Sequence, residues 1–344
     1  MNIEITLKNY RCFPHSSPAT FQLRPGFTAL VGANNSGKTS LLRFLYEFRN
    51  LFTMLSDSSG QLAAALNSRP QSFYLADTVL DQREIFHNGN GRDLEIRVDL
   101  TDAILKRGLP AEPVSCTLRI PHGTNLFTCD LFLNDGPLDL SRGEVSFRGP
   151  QKLLSQDGLI RCDLTRLFEA FSDLSQTLYI GPFRNAINIG ATAGYYDIQV
   201  GQAFIAAWKN YKSGVQLTLN ERAYRVEKDI QRIFGLSEIQ INPSASEQTL
   251  QLLLNGRSFK LSEVGSGMTQ FILVLANVAM QQRKYILLDE PELGLHPSLQ
   301  LDFLTTLASY VPEGGVLFAT HNIGLARSTA ERILAIKKVS DVFA

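Results

Sequence analysis

The sequence feature that most restricts the fold is a segment with the pattern G-x-x-x-x-G-K-T, Gly32-Ala33-Asn34-Asn35-Ser36-Gly37-Lys38-Thr39. An apolar run over residues 27–31 precedes it, and residues 40–45 have the composition of the first turns of a helix. A strand, a glycine-rich turn and a helix in this order form the loop whose backbone N–H groups surround a phosphate. The segment therefore predicts a nucleotide-phosphate site near the start of the chain.

Two side chains of this loop have specific expected roles. We expect the Lys38 ammonium to reach the β- and γ-phosphates, and the Thr39 hydroxyl to ligate Mg²⁺. The remaining residues of the predicted nucleotide-binding set are Gly32, Asn34, Asn35, Ser36, Gly37 and Ser40. The alternative is a glycine-containing turn with a chance lysine, and the strand and helix patterns on either side favour the phosphate site.

Composition restricts the setting in which such a chain works. Among its 344 residues, Lys plus Arg and Asp plus Glu both number 33, so the net charge is zero and any contact with DNA must come from a local patch or a partner.

The N-terminus alternates apolar and polar residues, unlike a signal peptide, and the most apolar run, residues 271–280, is too short to span a bilayer. The four cysteines lack CxxC or CxxH spacing and indicate neither a zinc site nor a disulfide framework: Cys12, Cys116, Cys129 and Cys162. We expect a soluble, cytoplasmic protein.

Apolar periodicity divides the chain into sections of an α/β protein. Alternating strands through residues 94–147 predict a β-rich, antiparallel section. Residues 197–236 have a helical period and predict a short helical arm, and helices that alternate with short strands after residue 259 predict a mostly parallel sheet flanked by helices. The expected domains are a first lobe with the phosphate loop and the antiparallel section (1–185), a helical arm or insert (186–258) and a second lobe (259–344).

Two helices of the first lobe are expected in detail. Apolar residues at 41, 44, 45, 48, 51, 52 and 55 predict one helix over residues 41–55. A second helix is expected over residues 163–174, with the Asp163 side chain at its N-cap.

A later apolar strand, over residues 285–288, ends in two carboxylates, Asp289 and Glu290. A strand end places such acids at the edge of the sheet where α/β folds bind ligands. We expect Asp289 to hold Mg²⁺, directly or through water, and Glu290 to polarise the attacking water as a general base or a positioning group. By itself the pattern is equally typical of a buried strand capped by solvated acids, and the phosphate loop in the same chain favours the functional interpretation.

Two further features have open interpretations. His321 follows the next strand after the acidic pair, where a sensor of the γ-phosphate would lie, although a histidine at a strand end is more often structural. Ser266 and Gly267 open an apolar helix after a run of small residues, so they form either an anion site or an ordinary helix start.

Together these motifs resemble the ABC-type ATPases of the SMC/RecF/OLD (overcoming lysogenization defect) group. The opening segment, with Asn9-Tyr10-Arg11, and the phosphate loop followed by Ser40-Leu41-Leu42 look like the start of that group. The later motifs are similar to the OLD-like branch in particular: Asp289-Glu290-Pro291-Glu292, Gly294-Leu295-His296-Pro297 and Gln300. The resemblance covers both ends of the chain, roughly residues 1–55 and 260–336.

The resemblance implies an ABC-type P-loop ATPase head, a Mg²⁺-dependent ATP hydrolase that forms a homodimer around two ATP molecules. Ser266 and Gly267 match the signature motif, which covers the ATP held by the other subunit. His321 matches the switch histidine, and Arg11 joins the nucleotide-binding set. His296 matches the D-loop region at the dimer seam. An equally good interpretation is that His296 enters a helix, with Pro297 at the first helical position.

The chain departs from related proteins at four points. The signature lacks the LSGGQ spelling of transporters, which with the lack of membrane-spanning segments argues against a transporter subunit. The expected Q-loop glutamine is not evident near residues 179–184, and Gln176 is a weak candidate. Residues 197–236 allow no long coiled coil. OLD-like proteins usually carry a TOPRIM nuclease domain after the switch histidine, and none is evident in the residues after His321. We expect the nuclease either on another polypeptide or in a part of a longer protein that this sequence lacks, and the abrupt end of the sequence slightly favours the second.

Three functions fit this sequence. The first is an ATPase that gates a DNA-directed effector such as a nuclease, in bacterial defence against phage, an assignment that rests on the resemblance alone. The second is a scaffold or sensor protein, in which slow ATP hydrolysis keeps an assembly locked in one state. The third is a DNA repair or recombination ATPase.

Overall fold

The computed structural model describes residues 2–100, 113–133, 136–139, 143–148, 153–182, 194–244 and 249–336. The chain divides into two compact units. The first unit comprises Met1–Pro25, Ala33–Thr177 and Ile336–Ala344, and the second comprises Gly26–Gly32 and Leu178–Ala335.

The described helices are α1 (Lys38–Glu47), α2 (Arg49–Asp57), α3 (Ser59–Leu66), α4 (Thr165–Ser175), α5 (Gly201–Ser213), α6 (Leu217–Ile233), α7 (Ser266–Gln281), α8 (Pro297–Ala308) and α9 (Ile323–Thr329), with 3₁₀ turns at Gln82–Ile85 and Leu261–Glu263. The strands of the first half are β1 (Ile3–Lys8), β2 (Ala19–Leu23), β3 (Gly26–Val31), β4 (Gln71–Ser72), β5 (Leu94–Leu100), β6 (Pro113–Ile120), β7 (Leu126–Leu133), β8 (Gly136–Pro137), β9 (Val145–Arg148), β10 (Leu153–Gln156) and β11 (Leu159–Asp163). The later strands are β12 (Thr177–Ile180), β13 (Gly194–Tyr195), β14 (Ile198–Gln199), β15 (Ile239–Pro243), β16 (Leu250–Leu254), β17 (Arg257–Lys260), β18 (Tyr285–Asp289), β19 (Gly315–Thr320) and β20 (Arg332–Ala335).

The first unit is built on an antiparallel sheet. Its strands lie in the order β2-β1-β5-β6-β7-β4, and β8 pairs with β7. The central strand β5 buries every second residue, which is the period-2 pattern of a sheet with one wet face. A separate sheet in the order β11-β10-β9 completes the described strands of this unit. The predicted antiparallel section is confirmed.

Helices α1, α2 and α4 supply aromatic rings to the core of the first unit. Phe44 and Phe48 lie with ring centroids 4.9 Å apart, and Phe48 stacks on Phe73 at 6.0 Å. Phe52 of α2 stacks on Phe171 of α4 at 6.3 Å. These rings are almost wholly buried, and burying each one removes a large apolar area from water.

The second unit is built on a parallel sheet in the order β12-β18-β19-β3-β20. Strands β18, β19, β3 and β20 pair in parallel, with Asp289 opposite Ala319 and Thr320 opposite Val31. Strands β18 and β19 are buried along their whole length, as expected where helices cover both faces. The mostly parallel sheet predicted from the sequence is confirmed.

The segment predicted as a helical arm forms α5 and α6, which pack within the second unit. Phe204 and Trp208 are buried in its core, and the Trp208 indole N–H donates to the Ile241 carbonyl oxygen at 3.0 Å. Tyr211 at the end of α5 donates its hydroxyl hydrogen to the Ala279 carbonyl oxygen of α7 at 2.8 Å. These helices therefore belong to the core of this unit, because their apolar face finds partners on α7 and on β15.

Two expectations about helices need correction. The single helix over residues 41–55 is wrong, since α1 ends and α2 begins on either side of Phe48, whose φ and ψ of −97° and 7° leave the helical region. Asp163 lies one position too early to be the N-cap of α4, which is Leu164. The Asp163 carboxylate nevertheless accepts the Thr165 N–H at 2.9 Å and so serves the first turn from outside it.

Candidate functional site

The phosphate loop has a backbone that depends on glycine. Strand β3 ends at Val31, the loop begins at Gly32, and α1 begins at Lys38. Within the first unit, Asn35 and Gly37 have φ values of 59° and 98°, in the left-handed region that favours glycine. A Cβ at Gly37 would lie 2.4 Å from Phe13 Cζ and 2.7 Å from Cys12 Sγ. Only glycine can therefore make this turn against the chain that precedes it.

The loop fits a phosphate group. No side chain of the described residues caps the first turn of α1, and the N-terminus of a helix favours an anion through its backbone N–H groups and its dipole. Lys38 is 5% exposed, and its ammonium donates to the Ala33 carbonyl oxygen at 2.9 Å, within the loop. The Ser36 hydroxyl is buried without a hydrogen-bond partner among the described residues. Asn34, Thr39 and Ser40 lie on the same turn and on the first turn of α1.

Arg11 lies in an ion-pair cluster of the first unit. Its guanidinium contacts the wholly buried Glu47 carboxylate at 2.6 Å, and Arg43 contacts the same carboxylate at 3.2 Å. The Tyr10 hydroxyl donates to Glu47 at 2.8 Å, and burial together with this carboxylate raises the pKa of Tyr10. Arg11 thus joins the opening segment to the last turn of α1, and its assignment to the nucleotide remains a prediction.

The second unit places its acidic residues at the carboxyl edge of the parallel sheet. Strands β18, β19 and β3 run in parallel, so Asp289, Thr320 and Val31 end neighbouring strands at one edge. Asp289 is 3% exposed, and the Tyr179 hydroxyl lies 3.5 Å from its Oδ2. Sequence reasoning missed Tyr179, whose only signal was a polar group within the apolar strand β12.

Glu290 has a strained backbone and a histidine neighbour. Its φ is 53°, a left-handed conformation that is rare outside glycine and asparagine and often found at functional sites. Its N–H donates to the Ala319 carbonyl oxygen at 2.9 Å. The His321 Nε2 lies 3.4 Å from Glu290 Oε1, and both side chains are about one-third exposed. The structure therefore brings together two predicted catalytic residues.

Glu292 is a second residue that sequence reasoning did not assign. Its Oε1 accepts hydrogen bonds from the Thr320 hydroxyl at 2.7 Å and from the His321 backbone N–H at 3.1 Å. A carboxylate two residues after Glu290, in Asp289-Glu290-Pro291-Glu292, was the available signal.

The predicted signature residues begin α7. Ser266 and Gly267 lie in the first turn, whose N-cap is Gly265, and Ser266 is exposed. A Cβ at Gly267 would lie 3.5 Å from the Gly294 carbonyl oxygen and 3.6 Å from Leu295 Cδ2. The signature helix and the predicted D-loop region are thus neighbours in the second unit.

His296 is the N-cap of α8. Its ring nitrogen accepts from the Ser298 N–H at 3.4 Å, and Pro297 occupies the first helical position. This geometry is the helix-entry role of His296, and its place at a dimer seam remains a prediction.

The structure gives little support for a glutamine ligand or for a metal site built from protein side chains alone. Gln176, the candidate for the Q-loop glutamine, is the C-cap of α4 in the first unit, and Phe183 and Arg184 lie outside the described residues.

Within the described ranges, no group of three His, Cys, Asp or Glu side chains could hold a metal ion. Mg²⁺ at phosphate sites takes one or two protein oxygens beside water and phosphate. The Thr39 hydroxyl and the Asp289 carboxylate each have the chemistry of such a ligand, and their assignment to Mg²⁺ remains a prediction. Among the helices described, none combines the length and apolar character needed to cross a membrane.

Comparison with protein families gives two matches. Residues 1–138 match a family described as "AAA ATPase domain", and residues 166–327 match a family described as "AAA domain, putative AbiEii toxin, Type IV TA system". No curated protein sequence matches this chain.

Solved structures of SMC heads are similar to the chain over nearly its whole length. An SmcHead bound to the C-winged helix domain of ScpA has a TM-score of 0.53 at 11% identity, covering 96% of this chain and 93% of that chain. The SMC head domain from Thermotoga maritima has a TM-score of 0.46 at 14% identity, with coverages of 97% and 94%. An Smc head with an extended coiled coil, bound to the C-terminal domain of ScpA derived from Pyrococcus furiosus, has a TM-score of 0.46 at 12% identity, with coverages of 98% and 94%.

The fold is that of an SMC head, a class of ABC-type ATPase. With the two AAA family matches, it supports an ABC-type ATPase of the SMC/RecF group, as the sequence predicted. None of these matches singles out the OLD-like branch.

Proposed function

We propose that this chain binds and hydrolyses ATP with Mg²⁺ and forms a head-to-head dimer around two ATP molecules. The observation that carries the proposal is the pair of Glu290 and His321, 3.4 Å apart, at the sheet edge from which β3 leads into the phosphate loop. A carboxylate and an imidazole paired at the carboxyl edge of a parallel sheet, in a chain that also has a phosphate loop, suit phosphoryl transfer to water.

Each residue has a chemical task in this proposal. The loop N–H groups and Lys38 bind the phosphates, and Thr39 and Asp289 are the protein ligands of Mg²⁺. When bound, Mg²⁺ neutralises phosphate charge. Glu290 orients the attacking water and accepts its proton, and His321 donates a hydrogen bond to the γ-phosphate.

The position of the signature residues supports the proposed dimer. Ser266 and Gly267 begin a helix of 16 residues, α7, whose N-terminus no side chain of the described residues caps. In the proposal this N-terminus faces the γ-phosphate of ATP held by a second copy, where the helix dipole favours negative charge. Contacts that exist only with the γ-phosphate present then couple ATP hydrolysis to separation of the heads.

The task of the dimer, in this proposal, is to gate a DNA-directed effector such as a nuclease, in the bacterial cytoplasm and in defence against phage. The family description that names a toxin of a type IV TA system favours a role in defence or stress over housekeeping repair. The effector would be a partner protein or a further domain. A DNA repair ATPase and an ATP-locked scaffold are the competing functions.

Sizing the Glu290→Gln variant with saturating ATP and Mg²⁺ tests the proposal. We expect this variant to bind ATP and accumulate as a dimer, because it keeps the phosphate contacts and loses the base. Lys38→Ala is the matched control and should stay monomeric, since it lacks the main phosphate contact. A Glu290→Gln protein that binds ATP and remains a monomer at all concentrations would contradict the dimer model.

The same variant separates the competing functions. If the effector remains active with Glu290→Gln, which binds ATP without hydrolysing it, the scaffold is favoured. If effector activity requires ATP hydrolysis, the gated effector is favoured. ATP hydrolysis that DNA ends stimulate, without any toxic output, favours repair.

A further inference from the structure

We infer that Glu292 is a positioning residue, which holds the switch loop so that His321 faces the Glu290 carboxylate. The switch loop is defined here as residues 320–322. This inference rests on the proposed ATPase function and adds a residue to which no role has been assigned.

The hydrogen bonds of Glu292 meet the switch loop at its first two residues. Oε1 accepts from the Thr320 hydroxyl at 2.7 Å and from the His321 N–H at 3.1 Å. Thr320 is wholly buried at the end of β19, so water does not compete for its hydroxyl. Hydrogen bonds to an ionised acceptor are stronger than neutral ones, and two on one oxygen define the direction of the loop.

A second set of contacts holds the other end of the switch loop. The Asn322 N–H donates to the Thr320 Oγ1 at 2.9 Å, and the Asn322 side chain accepts the Leu325 N–H at 3.0 Å as the N-cap of α9. Its amide nitrogen also donates to the Gln300 Oε1 at 3.3 Å. His321 therefore lies between two anchored residues, and its own backbone N–H is bound by Glu292.

Glu292 also connects the switch loop to the turn that carries Glu290. The Glu290 N–H donates to the Ala319 carbonyl oxygen, so this turn contacts the end of β19 twice, once through backbone and once through the Glu292 carboxylate. Without the second contact, the His321 side chain would no longer be held 3.4 Å from Glu290. A misplacement of about 1 Å can lower a catalytic rate roughly 100-fold.

The first test measures backbone hydrogen exchange of the ATP-free protein. In Glu292→Ala, peptides that cover residues 320–322 should exchange faster, because the His321 N–H loses its acceptor. Glu292→Gln should exchange almost as slowly as the wild type, because its amide oxygen accepts the same two bonds. Glu313→Ala removes an exposed carboxylate from the same unit and is the matched control. Unchanged exchange in Glu292→Ala would overturn the inference, whether or not the protein hydrolyses ATP.

The second test is kinetic. Glu292→Ala should lower kcat about 10- to 100-fold while KM for ATP stays within about twofold, and Glu292→Gln should recover most of the loss. Adding Glu292→Ala to His321→Ala should lower kcat no further, because Glu292 acts through His321. Independent, multiplying losses would overturn the inference, and so would a kcat of Glu292→Gln as low as that of Glu292→Ala.

A wild-type protein that binds ATP without hydrolysing it would contradict the proposed function, and the exchange result would then decide the positioning role by itself. Thermal unfolding of each variant checks that it is folded, and Glu292→Gln keeps the test decisive if Glu292→Ala does not fold.

Discussion

The Arg11 guanidinium lies 2.6 Å from the Glu47 carboxylate, which has no exposed surface. Arg43 and the Tyr10 hydroxyl bind the same carboxylate. Glu47 is the last residue of α1, and Lys38 is the first. The cluster thus anchors the far end of the helix on which the phosphate loop depends.

Glu47→Ala should lower the free energy of unfolding by about 3–5 kcal/mol, because two guanidinium groups and a buried hydroxyl lose this shared carboxylate. Urea denaturation measures the loss. Glu144→Ala removes the carboxylate of an exposed pair with Arg69, whose side chains are 67% and 62% exposed, and should cost about 1 kcal/mol or less. Equal losses of unfolding free energy in the two variants would show that the buried cluster stabilises the fold no more than an exposed ion pair does.

Gly37→Ala should abolish ATP binding and lower stability by at least about 1–2 kcal/mol. Its φ of 98° is strained for any L-residue, and the new Cβ would lie 2.4 Å from Phe13 Cζ. Gly60→Ala is the control, since a Cβ there meets nothing within 4 Å and lies in α3. It should leave ATP binding intact and stabilise the protein by about 0.5–1 kcal/mol. Calorimetric titration with ATP and thermal unfolding distinguish the two variants.

Gly267→Ala should separate ATP binding from dimerisation. A Cβ fits at Gly267 with ordinary van der Waals contacts, so the fold should be kept, and alanine in a helix is slightly more favourable than glycine. The methyl group would nevertheless obstruct close approach of a phosphate to the first turn of α7. We expect normal ATP affinity and loss of the ATP-dependent dimer in sedimentation of the Glu290→Gln background. A dimer that forms normally would exclude contact between Gly267 and the γ-phosphate.

Tyr179→Phe should raise the Mg²⁺ concentration needed for half-maximal ATPase activity severalfold. The Tyr179 hydroxyl lies 3.5 Å from Asp289 Oδ2, and its removal takes away one contact that orients the carboxylate. Tyr195→Phe removes a hydroxyl that donates to the Pro182 carbonyl oxygen and should leave the Mg²⁺ dependence unchanged. A Tyr179→Phe titration that overlays the wild type would assign the tyrosine to packing alone.

Alkaline pH should destabilise the protein through its buried tyrosines. Burial raises the pKa of Tyr211 to about 12, above the value near 10 of an unfolded chain. A raised folded-state pKa gives stability that is complete below about pH 10 and is lost as the pH rises toward 12. Chemical unfolding between pH 9 and pH 12 should therefore show a falling free energy of unfolding, with a shallower fall in Tyr211→Phe. An equal fall in this variant would assign the alkaline loss to other groups such as Tyr10.

Much of the fold follows from local patterns in the sequence. The antiparallel section predicted over residues 94–147 contains β5, β6 and β7, and β5 shows the alternation of buried and less buried residues on which the prediction depends. The phosphate loop and the acidic strand end are equally local, since short motifs carry their chemistry.

Features that depend on tertiary contacts were not predictable. The apolar period through residues 41–55 continues without a break in the sequence, whereas the helix is interrupted at Phe48, whose ring packs against Phe44 and Phe73. The bonds from Thr320 and His321 to Glu292 join residues almost thirty positions apart, and no spacing rule predicts such a pair. Tyr179 meets Asp289 across an even longer stretch of sequence.

The position of β3 has a consequence for biosynthesis. This strand is made long before its two neighbours in the sheet, β19 and β20. During translation β3 must wait, with an apolar sequence and both edges unsatisfied, until residues 315–335 have left the ribosome. A nascent chain arrested anywhere before residue 315 would therefore need a chaperone to protect this strand, and would be a preferred target of cellular proteases.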